Sequence, residues 1–509
     1  MPNGSSKSYC LLGFPLGVLL LFLVFSSFPM NESPHQQFFS SLTLPSLLDH
    51  TNALQSSSST SSLSNSPPVS IKKRSNLERR EEELRKARVA IRRAVKFKNY
   101  TSNEDMTYIP TGQIYRNSFA FHQSHIEMMK RFKVWSYKEG DQPLVHDGPV
   151  NDIYGIEGQF IDELENVVGG PSARFRASQP EEAHAFFLPF SVANIVHYVY
   201  KPITSPADFN RARLHRIFND YVDVVARKYP LWNQSNGADH FMVSCHDWAP
   251  DVPGSKPEFF KDFIRGLCNA NTSEGFKSNI DFSIPEINIP KGKLKPPFMG
   301  QNPENRTILA FFAGRAHGYI REILFGYWKG KDNDIQVYDN LTKGQNYHEL
   351  IGHSKFCLCP SGYEVASPRE VEAIYSGCVP VVISDNYSLP FNDVLDWSKF
   401  SVEIPVKQIS EIKKILQEIP HDKYLQMHKN VMKVRRHFMV NRPAQPRGCL
   451  EGWRGEDDSC LGSVFGRWRL PKLRRRRLWS PRGGSFFSFA VVGSSRREVK
   501  AITALRRRL

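Results

Sequence analysis

Between residues 108 and 446 the sequence alternates short apolar runs with longer amphipathic stretches. Short apolar runs predict buried strands, and apolar positions three or four residues apart predict helices. The predicted strands span residues 132–137, 185–188, 240–244, 308–312, 335–338, 356–359, 379–384 and 401–404. The predicted helices span residues 212–228, 318–328, 347–354, 368–376 and 409–419. This alternation is typical of parallel sheets covered by helices, so we expect an α/β protein.

A cluster of proline and lysine at residues 289–298 interrupts this alternation. Such clusters mark connections between folded units. The sequence therefore predicts two α/β domains, residues 108–290 and 291–446. The second domain has the clearer pattern of a doubly wound sheet, whose ligands bind beyond the carboxyl ends of the strands.

The N-terminal segment has a different character. Residues 10–28 contain no charge over a length close to that of a bilayer-spanning helix, which predicts a transmembrane signal anchor. A cleaved signal peptide is the alternative. Residues 1–9 would then be cytosolic and residues 29–107 a stalk, rich in serine and threonine at first. Residues 77–98 alternate charges at helical spacing, which predicts a stem helix or else a solvated surface segment.

The charge of the chain is concentrated at its end. The 509 residues carry 67 Lys and Arg against 51 Asp and Glu, a formal net charge of +16. Residues 447–509 hold 16 basic and 5 acidic residues, a surplus of 11, so the rest of the chain is near neutral. A nucleic-acid partner is therefore not expected, because its binding face would spread basic and aromatic residues over a folded domain. This atypical basic tail is predicted to be disordered, because it has too few apolar residues to bury.

The cysteines do not predict a metal site. Cys357 and Cys359 are too close for a zinc hairpin, whereas Cys245 and Cys268 could form a disulfide in an oxidising compartment. Residues 332–334, Asp-Asn-Asp, imitate a DxD metal-binding signature, but their position before a strand favours a polar turn. Glycosylation triplets support a lumenal body; they begin at Asn31, Asn99, Asn233, Asn271, Asn305, Asn340 and Asn386.

The segment of residues 361–385 contains the clearest candidate chemistry. Ser367, Pro368 and Glu370 have the spacing of an N-terminal capping box, which gives Glu370 a structural role. A helix N-terminus with free backbone N–H groups and a fixed cation can hold a diphosphate. Arg369 would supply that cation, with Arg315 and Asp385 also falling at the ends of predicted strands.

Ser361 and Gly362 precede this helix and would contribute backbone N–H groups to the diphosphate. Glu372 could accept hydrogen bonds from a ribose. The alternative for Glu372 is a surface ion pair with Arg369, three residues earlier on the same helix face.

These residues lie within a set of segments that resembles the plant exostosin-like glycosyltransferases of the cell wall. The resemblance extends over about residues 108–446. The segments occur in order as VWSYKEG, EEAHAFFLPFSV, GADHFMVSCHDWAP, FFAGRAHGYIREIL and FCLCPSGYEVASPREVEAIYSGCVPVVISDNYSLPF. It stops at about residues 441–446, where relatives continue with a short apolar helix that closes back onto the fold. The basic tail stands in its place.

The resemblance implies a glycosyltransferase-B fold, in which two Rossmann-like domains face a cleft, in a type II Golgi membrane protein. It implies transfer of a sugar, with inversion, from a nucleotide diphosphate, expected to be UDP, to a cell-wall polysaccharide, without a cofactor or a metal. The first domain would bind the acceptor, and other glycosyltransferases are candidate partners. The expected donor-binding residues are Gly314, Arg315, Ser361, Gly362, Ser367, Arg369 and Glu372. An inactive donor-binding scaffold in a polysaccharide-synthesising complex is the alternative function.

Such a transfer also needs a base that takes the proton of the acceptor hydroxyl. The sequence offers four candidates in the first domain: Glu157, Asp239, His246 and Asp247. Each could instead be a turn or capping carboxylate or a core histidine. The sequence does not choose among them.

Overall fold

The structure is a computed structural model that describes residues 75–100, 109–145, 152–165, 174–200, 204–292 and 298–440. The predicted signal anchor, the serine-rich part of the stalk, Asn31 and the basic tail lie outside these residues. Among the helices that are described, none combines the length and apolar character required to span a bilayer.

The first domain is built on a five-stranded parallel sheet whose strands follow one another in chain order, β1-β2-β3-β4-β5. The strands are β1 Val134–Ser136, β2 Ala185–Phe187, β3 His240–Ser244, β4 Ile264–Leu267 and β5 Phe282–Ser283. The helices are α2 Ser118–Arg131, α3 Gly155–Glu165, α4 Val192–Val199, α5 Ala212–Lys228 and α6 Leu231–Ser235. All five residues of β3 are buried, as expected for the central strand of a sheet covered on both faces.

The second domain has a parallel sheet of five strands in the order β10-β9-β8-β6-β7. These are β6 Ile308–Ala313, β7 Ile335–Tyr338, β8 Ser354–Pro360, β9 Val379–Ile383 and β10 Val402–Glu403. The helices are α7 Tyr319–Trp328, α8 Tyr347–Gly352, α9 Arg369–Ser376, α10 Ile412–Gln417 and α11 His421–Val434. The strand order reverses between β6 and β8, and such a switch point leaves a crevice at the carboxyl ends of the two strands.

The segment that follows β9 in the second domain is hydrogen-bonded to the first sheet. The backbone N–H groups of Ser388 and Phe391 donate to the carbonyls of Ala270 and Ser283, both at 3.0 Å. Ala270 follows β4 and Ser283 ends β5. The carboxyl ends of strands in the first sheet are therefore tied directly to the second domain.

The helix predicted at residues 77–98 is present as α1, Asn76–Phe97, and begins with a capping box between Ser75 and Glu78. Its apolar stripe of Leu84, Ala87 and Ile91 is buried. The Arg80 guanidinium donates to the carbonyl of Ala183 at 2.7 Å. This helix is therefore packed onto the folded body, and the alternative of a solvated surface segment is wrong.

Two disulfides connect neighbouring strands of the two sheets or the residues next to them. Cys245, directly after β3, is bonded to Cys268, directly after β4. Cys357 on β8 is bonded to Cys378, directly before β9. The first pairing was left open by the sequence, and the second was not predicted from it. Cys359 is a buried free thiol.

Candidate active site

Two arginines lie at the switch point of the second sheet. Arg369, the first residue of α9, donates from Nε and Nη2 to the carbonyl of Ala313 at 3.4 and 3.2 Å. Arg321 on α7 donates from Nε to the carbonyl of Pro360 at 3.4 Å. Both guanidinium groups lie over the ring of Phe312, at 5.1 and 5.9 Å from its centroid.

Neither guanidinium has a carboxylate within 4.0 Å in the part of the chain that the structure describes. Burial and the neighbouring charge of Arg369 lower the pKa of Arg321 to about 10. Arg321 is buried and Arg369 is partly buried, and two like charges placed in this way favour an anion as their ligand, because an anion offsets their repulsion. The arrangement is suited to a diphosphate.

Two glycines allow this close approach. A Cβ atom at Gly314 would collide with Nη2 of Arg369, so a larger residue would displace that guanidinium from its present place beside β6. Gly318 has φ of 96°, a left-handed conformation that favours glycine, and a Cβ there would collide with the carbonyl of Gly362. The loops after β6 and β8 therefore meet with backbone against backbone.

Two buried carboxyl groups lie near these arginines without neutralising them. Burial raises the pKa of Glu370 to about 8, and burial also raises the pKa of Glu286 well above its ordinary value. Glu370 is therefore mostly protonated at neutral pH, and burial disfavours ionisation of Glu286 in the same way. The positive charges of Arg321 and Arg369 remain available to a ligand.

The predicted capping box at this helix is wrong. The α-helix begins at Arg369 after Pro368, and no side chain accepts a capping hydrogen bond from its first turn as a capping box requires. Oγ of Ser367 accepts from the N–H of Arg369 at 3.4 Å, a long contact. The Glu370 side chain is directed into the interior, where Oε2 has no hydrogen-bond partner among the described residues.

The contribution expected from Ser361 and Gly362 also differs from the structure. Their N–H groups donate to the carbonyls of Ile383 at 3.1 Å and Glu364 at 3.0 Å, so neither is free to bind a diphosphate. The Ser361 hydroxyl lies 2.6 Å from that of Ser384. These residues shape the loop after β8, and the arginines provide the groups available to an anion.

Arg315 and Glu372 lie at the same edge of the sheet. Arg315 is exposed and lies two residues after the end of β6. Oε2 of Glu372 accepts a hydrogen bond of 2.6 Å from the hydroxyl of Tyr347 on α8. The ion pair between Glu372 and Arg369 is absent from the described contacts, so that alternative is wrong. Glu372 is half-buried, and its role toward a ribose stays a prediction.

Among the four base candidates, Glu157 is fully buried. Its carboxylate accepts from the hydroxyls of Ser191 and Ser244 at 3.1 and 2.7 Å and from the N–H of Cys245 at 2.9 Å. These bonds fix the carboxyl end of β3. The geometry thus argues for a structural carboxylate, since a base must reach the acceptor hydroxyl.

Asp239 lies at the other end of the sheet. It directly precedes β3, at the amino end of the strand, and accepts from the Ser235 hydroxyl and from Nδ1 of His240. Ligands of parallel sheets bind at the carboxyl ends, so this position argues against a role as the base.

His246 and Asp247 follow β3 at the carboxyl end. Nδ1 of His246 accepts from the N–H of Trp248 at 3.1 Å, which places the ring proton on Nε2 and leaves no free lone pair. Burial lowers the pKa of His246 to about 4. Asp247 is only partly buried; burial raises its pKa to about 6, against the opposing hydrogen bond from the Tyr154 hydroxyl. Of the four candidates, Asp247 is the one that combines a place at the carboxyl end of β3 with a partly exposed carboxyl group of raised pKa, and its role as the base stays a prediction.

The DxD-like segment forms a turn. Oδ1 of Asp332 accepts from the N–H groups of Asp334 and Ile335, at 2.8 and 3.1 Å, and Lys413 pairs with both aspartates. The described residues contain no group of three His, Cys, Asp or Glu side chains arranged for a metal ion.

The glycosylation triplets differ in exposure. Asn271 is buried, and its Oδ1 accepts from the N–H and hydroxyl of Ser273 at 3.0 and 2.7 Å, which argues against modification of the folded chain there. The side chains that remain exposed are those of Asn99, Asn233, Asn305, Asn340 and Asn386.

Comparison with known proteins identifies the chain. Residues 113–419 match the Exostosin GT47 domain. An Arabidopsis thaliana protein named as a probable glycosyltransferase is 48% identical over 398 residues, which are 78% of this chain and 74% of that protein. Another from the same plant is 49% identical over 366 residues, 71% of this chain and 76% of the relative. A probable glucuronosyltransferase of Oryza sativa subsp. japonica is 28% identical over 300 residues, 54% and 66% of the two chains.

The matches define the protein as a glycosyltransferase. It belongs to the exostosin GT47 family, as the resemblance had indicated. The crystal structure of TarM aligns with a TM-score of 0.24 and 15% identity over 39% of this chain and 51% of that chain, which is too low to bear on the fold.

Proposed function

We propose that this protein is an inverting glycosyltransferase that transfers a sugar from a UDP-linked donor to a cell-wall polysaccharide or glycan. The observation that carries the proposal is the pair of guanidinium groups of Arg321 and Arg369, held at a switch point without carboxylate partners among the described residues. A nucleotide diphosphate leaves the donor with additional negative charge. Fixed cations that stabilise this charge accelerate such a departure.

In the proposed reaction, the Asp247 carboxylate takes the proton of the acceptor hydroxyl while the hydroxyl oxygen bonds to the anomeric carbon of the donor. The bond from that carbon to the diphosphate oxygen breaks, and the electron pair leaves with the diphosphate. Arg321 and Arg369 offset the charge that develops there. Attack on the face opposite the leaving group inverts the anomeric configuration.

A glycosyltransferase-B arrangement is supported by the way the two sheets meet. Asn269, which follows β4, donates from Nδ2 to Oε2 of Glu364, which follows β8, at 2.7 Å. Carboxyl ends of strands from both domains thus contribute to one place. This is the arrangement in which an acceptor on one domain can meet a donor on the other.

We also propose a lumenal location for the catalytic body, in a type II Golgi membrane protein anchored by residues 10–28. The two disulfides support this location, because disulfides persist in oxidising compartments and are rare in the cytosol. Glycosidase treatment of the expressed protein should increase its electrophoretic mobility. An unglycosylated product released without membranes would contradict the topology.

The test uses the full-length protein purified from membranes of a eukaryotic host. It is incubated with a panel of UDP-sugars, including UDP-glucuronic acid, with and without wall oligosaccharides, and UDP release and sugar transfer are measured. Asp247→Asn should bind UDP and lose transfer, while Glu403→Gln, an exposed change on β10, should behave as the wild type. Binding without turnover in the wild type would favour the inactive scaffold. Absence of nucleotide binding would contradict donor binding altogether.

A further inference from the structure

One amide joins the segment that carries Asp247 to the donor-side loop. Asn269 is fully buried, and its Nδ2 donates to the carbonyl of Asp247 at 3.0 Å and to Oε2 of Glu364 at 2.7 Å. An amide nitrogen has two protons, so both bonds form at once. Movement of either partner therefore strains the other bond.

The partners of Asn269 are themselves tied to groups that the reaction needs. Asn269 directly follows Cys268, whose disulfide holds Cys245 two residues before Asp247. Glu364 lies in the loop between β8 and α9, and its carbonyl accepts the N–H of Gly362 at 3.0 Å. That loop leads into Arg369. The contact thus bridges the rigid end of the first sheet and the segment that positions a donor-side cation.

We propose that Glu364 is a positioning residue of the transfer reaction, which through Asn269 holds the donor-side loop of residues 361–367 in register with Asp247. This inference rests on the proposed function. Glu364 touches neither reacting atom in this role. It sets the separation between the base and the donor, and misplacement of such groups by about an ångström lowers rates steeply.

The charges around Glu364 make the contact sensitive to pH. Glu274, from the turn at residues 272–274, and Asp247 face it with negative charge, and Arg211, next to the start of α5, opposes them. Burial and Glu274 raise the pKa of Glu364 to about 7, whereas that of Asp247 is about 6. As pH rises, Asp247 becomes ionised first. Ionisation of Glu364 strengthens the single hydrogen bond from Asn269, but burial and the negative charges of Glu274 and Asp247 penalise the carboxylate by more, which is why its pKa is raised. The closed arrangement of the loop therefore loses stability as Glu364 ionises.

The wild type should therefore show a bell-shaped dependence of kcat on pH. Activity rises as Asp247 loses its proton near pH 6 and falls as Glu364 ionises above about pH 7. Glu364→Gln keeps an oxygen that can accept from Asn269 but cannot ionise, so the alkaline fall should disappear. Glu364→Ala removes the acceptor, and kcat should drop about tenfold at pH 6.5, the size expected for one lost hydrogen bond.

The experiment compares these two variants with the wild type and with the control Glu403→Gln in the full-length protein. It measures kcat and both KM values from pH 5 to 8.5, and amide hydrogen exchange of residues 361–367, corrected for the intrinsic pH dependence. We expect faster exchange in Glu364→Ala, and in the wild type above pH 7, but not in Glu364→Gln. Equal pH profiles in the wild type and Glu364→Gln, or an unchanged kcat in Glu364→Ala, would overturn the inference.

The exchange measurement separates this inference from the proposed function. A wild type that binds no nucleotide and transfers no sugar refutes the function, and the exchange of residues 361–367 then still decides whether Glu364 holds the loop. Unchanged exchange in Glu364→Ala would overturn the inference even in an active enzyme. If Glu364 had only a structural role, both variants would be less stable, and the fall of kcat at alkaline pH would remain in Glu364→Gln.

Discussion

Replacement of Glu370 by glutamine tests the claim that a neutral acid lies behind the arginines. The carboxyl is 2% exposed, and Oε2 has no hydrogen-bond partner among the described residues. Burial raises its pKa from 4.5 to about 8. Glutamine has nearly the same shape and stays neutral at every pH, so the variant removes the titration and keeps the volume.

The change of unfolding free energy with pH follows from the pKa values of Glu370 in the folded and the unfolded protein. Because the pKa of Glu370 is higher in the folded state, the stability it contributes is fully present below pH 4.5 and is lost as pH rises toward 8. Within this window the loss is about 1.4 kcal/mol per pH unit. Between pH 5 and pH 7 the wild type should therefore lose about 3 kcal/mol of unfolding free energy relative to Glu370→Gln.

The assay is urea unfolding of the wild type, Glu370→Gln and the control Glu403→Gln at pH 5, 6 and 7 with both disulfides intact. The unpaired N–H of the new amide lowers the stability of Glu370→Gln by an amount that does not depend on pH. The titration of the Glu370 carboxyl is therefore measured by how the difference in unfolding free energy between wild type and Glu370→Gln changes with pH. A difference between wild type and Glu370→Gln that stays constant from pH 5 to 7 would show that Glu370 is ionised in the folded protein.

Further predictions concern ligand binding and stability. Arg369→Ala should weaken UDP binding about 10- to 100-fold by calorimetry, as expected for a charged hydrogen-bonding group, and unchanged affinity would place the guanidinium away from the ligand. Gly314→Ala should weaken UDP binding with an unchanged circular dichroism spectrum, because the added methyl displaces Arg369. Glu372→Ala should weaken binding of UDP but not of pyrophosphate, and equal losses would contradict a ribose contact. Cys378→Ser should lower the unfolding free energy by about 2–4 kcal/mol through loss of the bond to Cys357, and unchanged unfolding would contradict that disulfide.

The local pattern of the sequence was sufficient to predict the limits of those strands and helices that bury one continuous apolar surface. The predicted limits of β3, β7 and α5 coincide with those of the structure. The short strand β4 was missed because Arg265 interrupts its apolar run. In the structure that guanidinium is buried and paired with Asp281 at 2.6 Å, a partner 16 residues away that periodicity does not reveal.

The end of the second domain shows a different error. Residues 409–419 were predicted as one helix, but a 3-10 segment, Val406–Glu411, precedes α10. The apolar positions Ile409, Ile412 and Leu416 are all buried, so the periodicity correctly identified the inward face. Periodicity does not distinguish the two hydrogen-bonding patterns over so short a stretch.

The candidate site could be predicted only in part, because contacts between distant segments do not show in the local pattern of the sequence. The predicted strand ends pointed to the loops after β6 and β8, because ligands of a doubly wound sheet bind at the carboxyl ends of its strands. Arg321, Glu364 and Asn269 were missed because each acquires its role from a contact with a distant segment. Arg321 occurs within one of the segments that carry the resemblance, and this was the one available signal for it.

In the proposed reaction, the raised pKa values of the buried Glu370 and Glu286 matter because a neutral acid does not neutralise the arginines. If Glu370 and Glu286 were ionised, each would attract Arg321 and Arg369, and a diphosphate would have to displace that attraction before it could bind. Because the pKa values are raised in the fold, the protein loses stability as pH rises, but neutral acids leave the charges of both guanidinium groups unpaired. The same burial that destabilises the two carboxylates therefore preserves the cationic site. A fold that paired these groups would be more stable at neutral pH and a poorer binder of an anionic leaving group.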